Sequence, residues 1–415
     1  MTGNWAGTYD YRAPRRVAVS SEGELRAALA GTGPVHALGT RHSFTDLPDT
    51  AGTLIEMTGL DRPAVVDAAA ARTVRVTAGT RYGVLARQLH EAGWALHNTG
   101  SLPHISVGGA TSTGTHGSGD RNGILSTAIS AVRFMDAGGE IREVRRGDPD
   151  FPAVAVGVGA FGILTELTLD IQPTYDVRQD LYAGVPWDAL LDDVDAVTTA
   201  GSSVSVFTRW GADLGWAWVK RRITDAAAPV PAELLGGRLS ETGVSPLGLG
   251  DNVTEIGTSG PWYERLPHFR ADAEPSRGDE IQSEYFIDRA DAAAALRAVR
   301  EIAGAFAEHL VWTELRTAAA DDLWLSGAYR RDAFIIHFTW ENRPSEVDAA
   351  LRIIEAVLEP FRARPHWGKR HLFDRARIER VVPRLADARA VFERLDPAGR
   401  FVNDHLVRVG LREPR

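Results

Sequence analysis

Apolar and polar positions along this chain fall into two regimes. Over roughly the first 170 residues, short apolar runs alternate with amphipathic stretches. Ser21 and Glu24 stand in capping-box spacing and predict a helix through Leu25, Ala28 and Leu29, because their side chains satisfy N–H groups left free at a helix start. Val35 to Leu38 reads as a short buried strand. Thr73-Val74-Arg75-Val76-Thr77 alternates with period two and predicts a strand ending at Gly79. Leu85 and Leu89 then share one face of a helix that Gly93 stops. Ile129 to Phe134 is a further strand, with a turn at Gly138-Gly139. Ile163 to Ile171 alternates Leu167, Leu169 and Ile171 with Thr168 and Asp170, a strand with one wet face.

The pattern changes at Pro173. Nine of the eleven tryptophans lie between there and residue 370, within longer strand and helix units. Val204 to Thr208, Trp216 to Lys220, Ile281 to Ile287, Leu310 to Thr317 and Phe334 to Trp340 read as strands. Ala290 to Phe306 and Val347 to Leu358 read as helices, and 226–262, rich in proline and glycine, as a long loop. Strands mixed with helices in this order predict an α+β protein whose second unit is an antiparallel sheet covered by helices on one face. The boundaries read as 1–172, 173–373 and a tail, 374–415, that packs back on the first unit. With 415 residues the chain is too long for one small core, so two domains are expected.

Net charge is −9, from 46 basic and 55 acidic residues, which argues against a nucleic-acid partner. There is no cysteine, so disulfides, thiolate catalysis and cysteine-ligated zinc or iron–sulfur sites are excluded. No other metal-ligand spacing stands out. The start lacks a basic segment followed by an apolar one, and no apolar run reaches membrane-spanning length. A soluble cytoplasmic protein with no protein partner is the expectation.

Candidate chemistry begins where the Val35–Leu38 strand ends in Gly39-Thr40-Arg41-His42-Ser43-Phe44. Such a turn presents successive N–H groups that can cradle a pyrophosphate, together with one histidine. About sixty residues later, Ser106-Val107-Gly108-Gly109-Ala110-Thr111-Ser112-Thr113-Gly114-Thr115-His116-Gly117 suits close backbone approach to a large planar ligand. Ser106, Thr113 and Thr115 offer hydroxyls there, and His116 stands behind them. Ser101 precedes this segment, and Ile163 follows the Gly162 turn. In the second unit three strands each carry a polar pair on one face: Gln282 with Glu284, Glu314 with Arg316, His337 with Thr339. Together they suggest the polar floor of a pocket for a hydroxylated ligand; a solvated sheet face is the plainer alternative. Lys369 follows a Trp-Gly turn.

The paired small-residue turns resemble the FAD-binding domain of the vanillyl-alcohol oxidase family of covalent flavoproteins. Asn4-Trp5-Ala6-Gly7, Arg41-His42-Ser43-Phe44, Ser101-Leu102-Pro103-His104-Ile105-Ser106, the stretch from Gly260 to Arg270, His337-Phe338-Thr339-Trp340 and Pro365-His366-Trp367-Gly368-Lys369 are similar, nearly end to end, to the alditol (xylitol) oxidases of that family. The resemblance implies a two-domain FAD-binding fold with a substrate (cap) domain, and covalent 8α-histidyl FAD on His42. It implies FAD contacts from Gly39, Thr40, Arg41, Ser43, Ser101, Ser106, Gly109, Thr113, Gly114, Thr115, His116, Ile163 and Lys369. It implies substrate contacts from Ser101, Gln282, Glu314, Arg316 and Thr339, with Lys369, Arg316, Glu314 and His337 as the catalytic set. The implied reaction oxidises a terminal primary alcohol of an alditol with O₂, giving H₂O₂. Arg41 stands where a glycine is common in the family. Gly100 is implied to leave room for O₂, and a turn glycine with positive φ is the alternative. The Gly-Lys pattern also resembles aldonolactone oxidases and dehydrogenases, which keeps that substrate class open. A sugar-binding protein without redox function is the remaining alternative.

Overall fold

The computed structural model describes residues 3–68, 72–223, 229–241, 252–274 and 278–414. Three parallel strands open it, in the order Arg15–Ala18, Thr53–Glu56, Val35–Leu38. The helix Glu22–Leu29 packs against them through Leu25, Ala28 and Leu29, and its cap is the expected one: Ser21 accepts from the Glu24 N–H. Glu24 in turn accepts from the Ser20 N–H. A five-stranded antiparallel sheet follows, in the order Val65–Asp67, Thr73–Thr77, Ile163–Asp170, Ile129–Met135, Ile141–Arg145.

The second region is one antiparallel sheet of ten strands drawn from residues 176 to 365. Its centre runs Asp176–Ala183, Trp216–Arg222, Ser203–Thr208, Leu310–Ala318, Ala333–Glu341, Glu280–Asp288. One face carries Val204, Val206, Leu315, Phe338 and Trp340 into a core shared with the helices Trp187–Asp192, Ala292–Glu301 and Pro344–Leu358. The sheet is thus covered by helices on one face, as the pattern predicts. The other face carries polar side chains, and register explains why they meet. Glu314 lies directly opposite His337, and His337 opposite Glu284; Thr339 lies opposite Gln282.

The tail returns to the first sheets. The Arg400 carbonyl accepts from the Val35 N–H, Phe401 packs with Val35 and Ile55, and Asn403 donates to the carbonyls of Leu47 and Asp49.

Some elements differ from expectation. Arg15–Ala18 and Thr53–Glu56 are too short and mixed to stand out. Asp176–Ala183 hides because it is polar; its buried Asp180 is paired with Arg178 and Arg221, which only the fold supplies. The stretch expected as one helix to Phe306 is helical only over Ala292–Glu301. Ile302 leaves helical geometry at φ −97° and ψ 0°, and 3₁₀ turns follow. Parts of the expected loop 226–262 lie outside the described residues, and the described part holds the short strands Glu233–Leu234, Gly237–Leu239 and Ser259–Pro261.

Leu296 is fully buried between helix and sheet. Leu296→Ala should therefore cost about 2–5 kcal/mol, read as a lowered unfolding temperature. An unchanged temperature would mean that the helix layer does not hold the sheet.

Candidate active site

A single cleft of about 1770 Å³, counting its solvent-filled mouth, runs from the first strand-end turn to the polar face of the large sheet.

The dinucleotide end is built by contact between the two small-residue segments. The Ser106 N–H donates to Thr40 Oγ1 at 3.1 Å. A Cβ on Gly39 would fall 2.5 Å from Ser106 Oγ and would force that hydroxyl to move. Arg41 adopts φ 67°, the left-handed region that an arginine enters at a cost, which explains why glycine suits the position. The same turn reaches the far end of the cleft, because Phe44 N–H donates to the Gly368 carbonyl at 2.8 Å. His42 is buried, and neither ring nitrogen has a hydrogen-bond partner. Trp5 stacks on its ring at 4.9 Å. Burial, followed by the charges of His104, Arg81 and Arg41, pushes its pKa down to about 3, although the nearby Thr40 backbone opposes the shift without reaching hydrogen-bond geometry. The result is a neutral imidazole in the cleft lining, with both ring nitrogens shielded from solvent and without a hydrogen-bond partner.

Gly39, Thr40, Arg41, Ser43, Ser101, Ser106, Gly109, Thr113, Thr115, His116 and Lys369 line this cleft with His42. Two expected contacts do not. Gly114 lies behind the wall. The Ile163 backbone pairs with Met135 and its side chain fills the adjoining core, so Gly162 and Leu164 line the cleft instead. Gly100 does not have a positive φ, which removes the turn alternative; a Cβ there would meet Thr115, His116 and Ile105 at 3.5–3.8 Å, ordinary contact distances.

The other end is a buried charge network centred on Glu284. Its Oε2 accepts from Arg316 Nη2 and Lys369 Nζ, each at 2.9 Å; His337 Nδ1 also lies 2.9 Å from Oε2, and His116 Nε2 lies 2.9 Å from Oε1. Burial alone would raise its pKa; Lys369, His116 and His337 outweigh that and hold the carboxyl well below the usual range. Burial in turn lowers Lys369, against the pull of Glu284. Lys369 Nζ also lies 2.7 Å from His337 Nδ1, and His337 Nε2 lies 3.1 Å from Thr339 Oγ1. Burial, then Lys369, brings His337 down to about 4.

Glu314 is the second carboxylate. Its Oε1 lies 2.7 Å from His268 Nε2 and 3.5 Å from Arg316 Nε. Burial opposes its ionisation, and Arg316 and His268 overcome it, so its pKa is lowered. Arg316 Nη1 reaches Ser101 Oγ at 3.3 Å, and the Ser101 carbonyl accepts from the N–H groups of His268 and Phe269. Ser101, Gln282, Glu314, Arg316, His337, Thr339 and Lys369 therefore meet in one cleft wall.

Sequence reasoning missed three contributors. Glu284 appears there only as a strand partner of Gln282. His268 and Lys220 are absent, since one follows a proline in a loop and the other ends an aromatic strand. Among the described residues no cluster could hold a metal ion, and no helix is long and apolar enough to cross a membrane.

Comparison with known proteins agrees with this geometry. The FAD-binding domain model matches residues 14–145, and the D-arabinono-1,4-lactone oxidase model matches residues 277–409. The chain is 40% identical to an alditol oxidase of a Streptomyces species, over 97% of each chain. It is 30% identical to an L-gulono-1,4-lactone dehydrogenase of Mycobacterium tuberculosis, over 98% of each. The fold also matches cholesterol oxidase from B. sterolicum with a TM-score of 0.77 at 16% identity, over 98% of this chain and 96% of that one. The chain belongs to the vanillyl-alcohol oxidase family of FAD-dependent oxidoreductases, in the group that holds alditol oxidase and the aldonolactone oxidoreductases.

FAD fits the first end on its donor set: an N–H-bearing turn, hydroxyls from Thr40, Ser43 and Ser106, and a buried histidine with no other partner. The buried histidines also set a pH limit. His36 and His371 are pushed by burial to about 4 and about 3, with Nε2 unpartnered in each. Their folded values lie below the unfolded value of about 6.5. Their contribution to stability is complete above that pH and is lost as pH falls through the folded values. The unfolding temperature should drop from pH 7 to 5, and His371→Leu should blunt the drop. A flat profile would mean that these rings are already charged in the fold.

Proposed function

We propose that this protein is an FAD-dependent oxidase of alditols, converting a terminal primary alcohol to the aldehyde with O₂ reduced to H₂O₂. The observation that carries the reading is the convergence of Glu314, Arg316, Thr339, Gln282 and Ser101 on one wall of the FAD cleft. A polyol has many hydroxyls and no charge. Its recognition needs an array of donors and acceptors rather than one ion pair, and charge-assisted partners strengthen that array. The 40% identity to an alditol oxidase supports the same substrate class. An aldonolactone oxidase or dehydrogenase is the second reading, favoured by the match over residues 277–409.

FAD, when bound, accepts hydride from the alcohol carbon and returns the electrons to O₂. The chain's residues do the rest. Glu314 and Thr339 hold hydroxyls beyond the reacting carbon and set the chain in register. Arg316 and Lys369 stabilise negative charge as the reacting hydroxyl loses its proton. That proton passes to Lys369 Nζ as this nitrogen hands one of its own to His337 Nδ1, 2.7 Å away. The imidazolium so formed faces Glu284 Oε2 at 2.9 Å; with a resting pKa near 4 it holds the proton only briefly. His42, neutral and unpartnered, is the residue to which FAD is joined through its 8α position. Residues 1–172 are read as the FAD-binding domain, 173–373 as the substrate domain and 374–415 as the returning helical segment, consistent with the sheets of the first two and the helices of the third.

H₂O₂ formation with xylitol, sorbitol, glycerol and an aldonolactone tests the reading. Turnover on the lactone alone would replace it with the second. His42→Ala should leave flavin extractable by acid precipitation, whereas flavin retained with the denatured variant would identify another attachment residue. Glu314→Gln should lower kcat/KM about tenfold or more through KM, given ~1.5–3 kcal/mol for a charge-assisted hydrogen bond. Lys369→Met should act mainly on kcat, since the charge it meets develops in the transition state. Equal rates in both variants would return this wall to a structural role.

A further inference from the structure

Lys220 is an unexpected residue in the large sheet. It sits on Trp216–Arg222 next to Trp218 and Val219, is 1% exposed, and makes no ion pair with a carboxylate among the described residues. An ammonium in such a place costs several kcal/mol unless hydrogen bonds replace its water. Its Nζ bonds to the Leu266 carbonyl, to the Pro267 carbonyl at 3.2 Å and to His268 Nδ1 at 3.1 Å. Thr254 Oγ1 also donates to the Pro267 carbonyl at 2.8 Å and so fixes the loop.

The proton arithmetic follows from donor types. Carbonyl oxygens only accept, so two ammonium protons are committed to Leu266 and Pro267. The third points at His268 Nδ1, which must then be the bare nitrogen. The single proton of the neutral ring is therefore on Nε2, 2.7 Å from Glu314 Oε1. The ring packs edge-on against Trp218 at 4.8 Å and Phe207 at 5.6 Å. Glu314 Oε2 has no hydrogen bond among the described residues, and the side chain lines the cleft.

We propose that Lys220 is a positioning residue for Glu314: by occupying His268 Nδ1 it selects the tautomer whose Nε2–H donates to Glu314 Oε1, and so keeps that carboxylate an ionised acceptor with its second oxygen free for a substrate hydroxyl. Lys369 and His337 repeat the arrangement across the site, Nζ to Nδ1 at 2.7 Å and Nε2 to Thr339 at 3.1 Å. There Nδ1 also faces Glu284 Oε2 at 2.9 Å, whereas His268 Nδ1 has Lys220 alone. Burial pushes Lys220 to about 7 and His268 to about 4, consistent with a neutral ring beside a lysine that can carry its proton. The charged and titratable groups that act on Glu314 include Arg316, His268, His337 and Lys369, with Lys220 behind His268; those that act on Lys220 include Glu314, Arg316 and His268. The inference rests on reading Glu314 as a substrate contact.

The test separates the tautomer from the substrate. ¹⁵N shifts of the His268 ring in the flavin-loaded enzyme, assigned by difference against His268→Gln, should report a neutral Nε2–H form at pH 6, where Lys220 carries its proton. A protonated Nδ1 overturns the proposal. Lys220→Met should lower kcat/KM about tenfold on whichever substrate the enzyme turns over. It should also move the acid limb of its pH profile upward, because Glu314 loses a fixed donor that favours its ionised form. Lys220→Gln keeps an N–H donor and should recover most of the loss. An unmoved acid limb in flavin-loaded Lys220→Met, or equal losses in the two variants, overturns it. If Lys220→Met does not fold, the wild-type tautomer still decides. Failure of the alditol reading would appear separately, as wild-type enzyme inactive on alditols with the tautomer unchanged.

Discussion

Glu284 holds this molecule's working end together. It is fully enclosed, and it is the common hydrogen-bonding neighbour of groups from four separate segments: His116, Arg316, His337 and Lys369. Breaking such a buried set by removing one partner leaves uncompensated charge, which costs ~3–5 kcal/mol. Removing Glu284 would leave two cations facing each other in a dry wall. The carboxylate therefore decides where Lys369 and Arg316 point, and it ties the glycine-rich segment at His116 to the large sheet. Glu284 takes up Arg316 Nη2 and Lys369, and Glu314 Oε2 keeps no hydrogen bond among the described residues.

Strain marks the dinucleotide end. Arg41 and Val158 both line the cleft with positive φ, at 67° and 46°. Each costs a non-glycine residue ~1–3 kcal/mol. The structure holds them through the Trp5 N–H on the Arg41 carbonyl at 2.8 Å and the Val158 N–H on the Ser112 carbonyl at 3.1 Å. The N-terminal segment thus fixes the turn that carries His42, and its Trp5 ring covers the same imidazole. Backbone strain, an unpartnered histidine and interlocked small residues coincide where FAD fits.

Two kinds of surface meet in the cleft. The first is made of backbone and small side chains at strand ends, suited to a ligand that needs close approach and phosphate contacts. The second is a sheet face whose side chains alternate by period two, so adjacent strands in register place Glu314, His337 and Glu284 in one row. The opposite face of the same strands is apolar and packs under helices. That asymmetry lets a rigid sheet present several charged groups at fixed spacing without a metal-like anchor.

Local order was legible from the sequence by itself. The capping box at Ser21, the strand and turn before His42, the small-residue segment near Ser106 and the three polar strand pairs depend on neighbours within a few residues, where periodicity and side-chain size suffice. They also carried the family resemblance. The tertiary structure alone decided which polar residues matter together. Glu284 looks no different from any strand glutamate until four segments converge on it. His268 and Lys220 are 48 positions apart, and only sheet register and the returning loop bring them to 3.1 Å. Ile163 shows the converse: its position beside the Gly162 turn suggested a ligand contact, and packing turned its side chain into the core. Local pattern specifies elements because their forces act over a few bonds, while a charge network is specified by distances that exist only after the chain has folded.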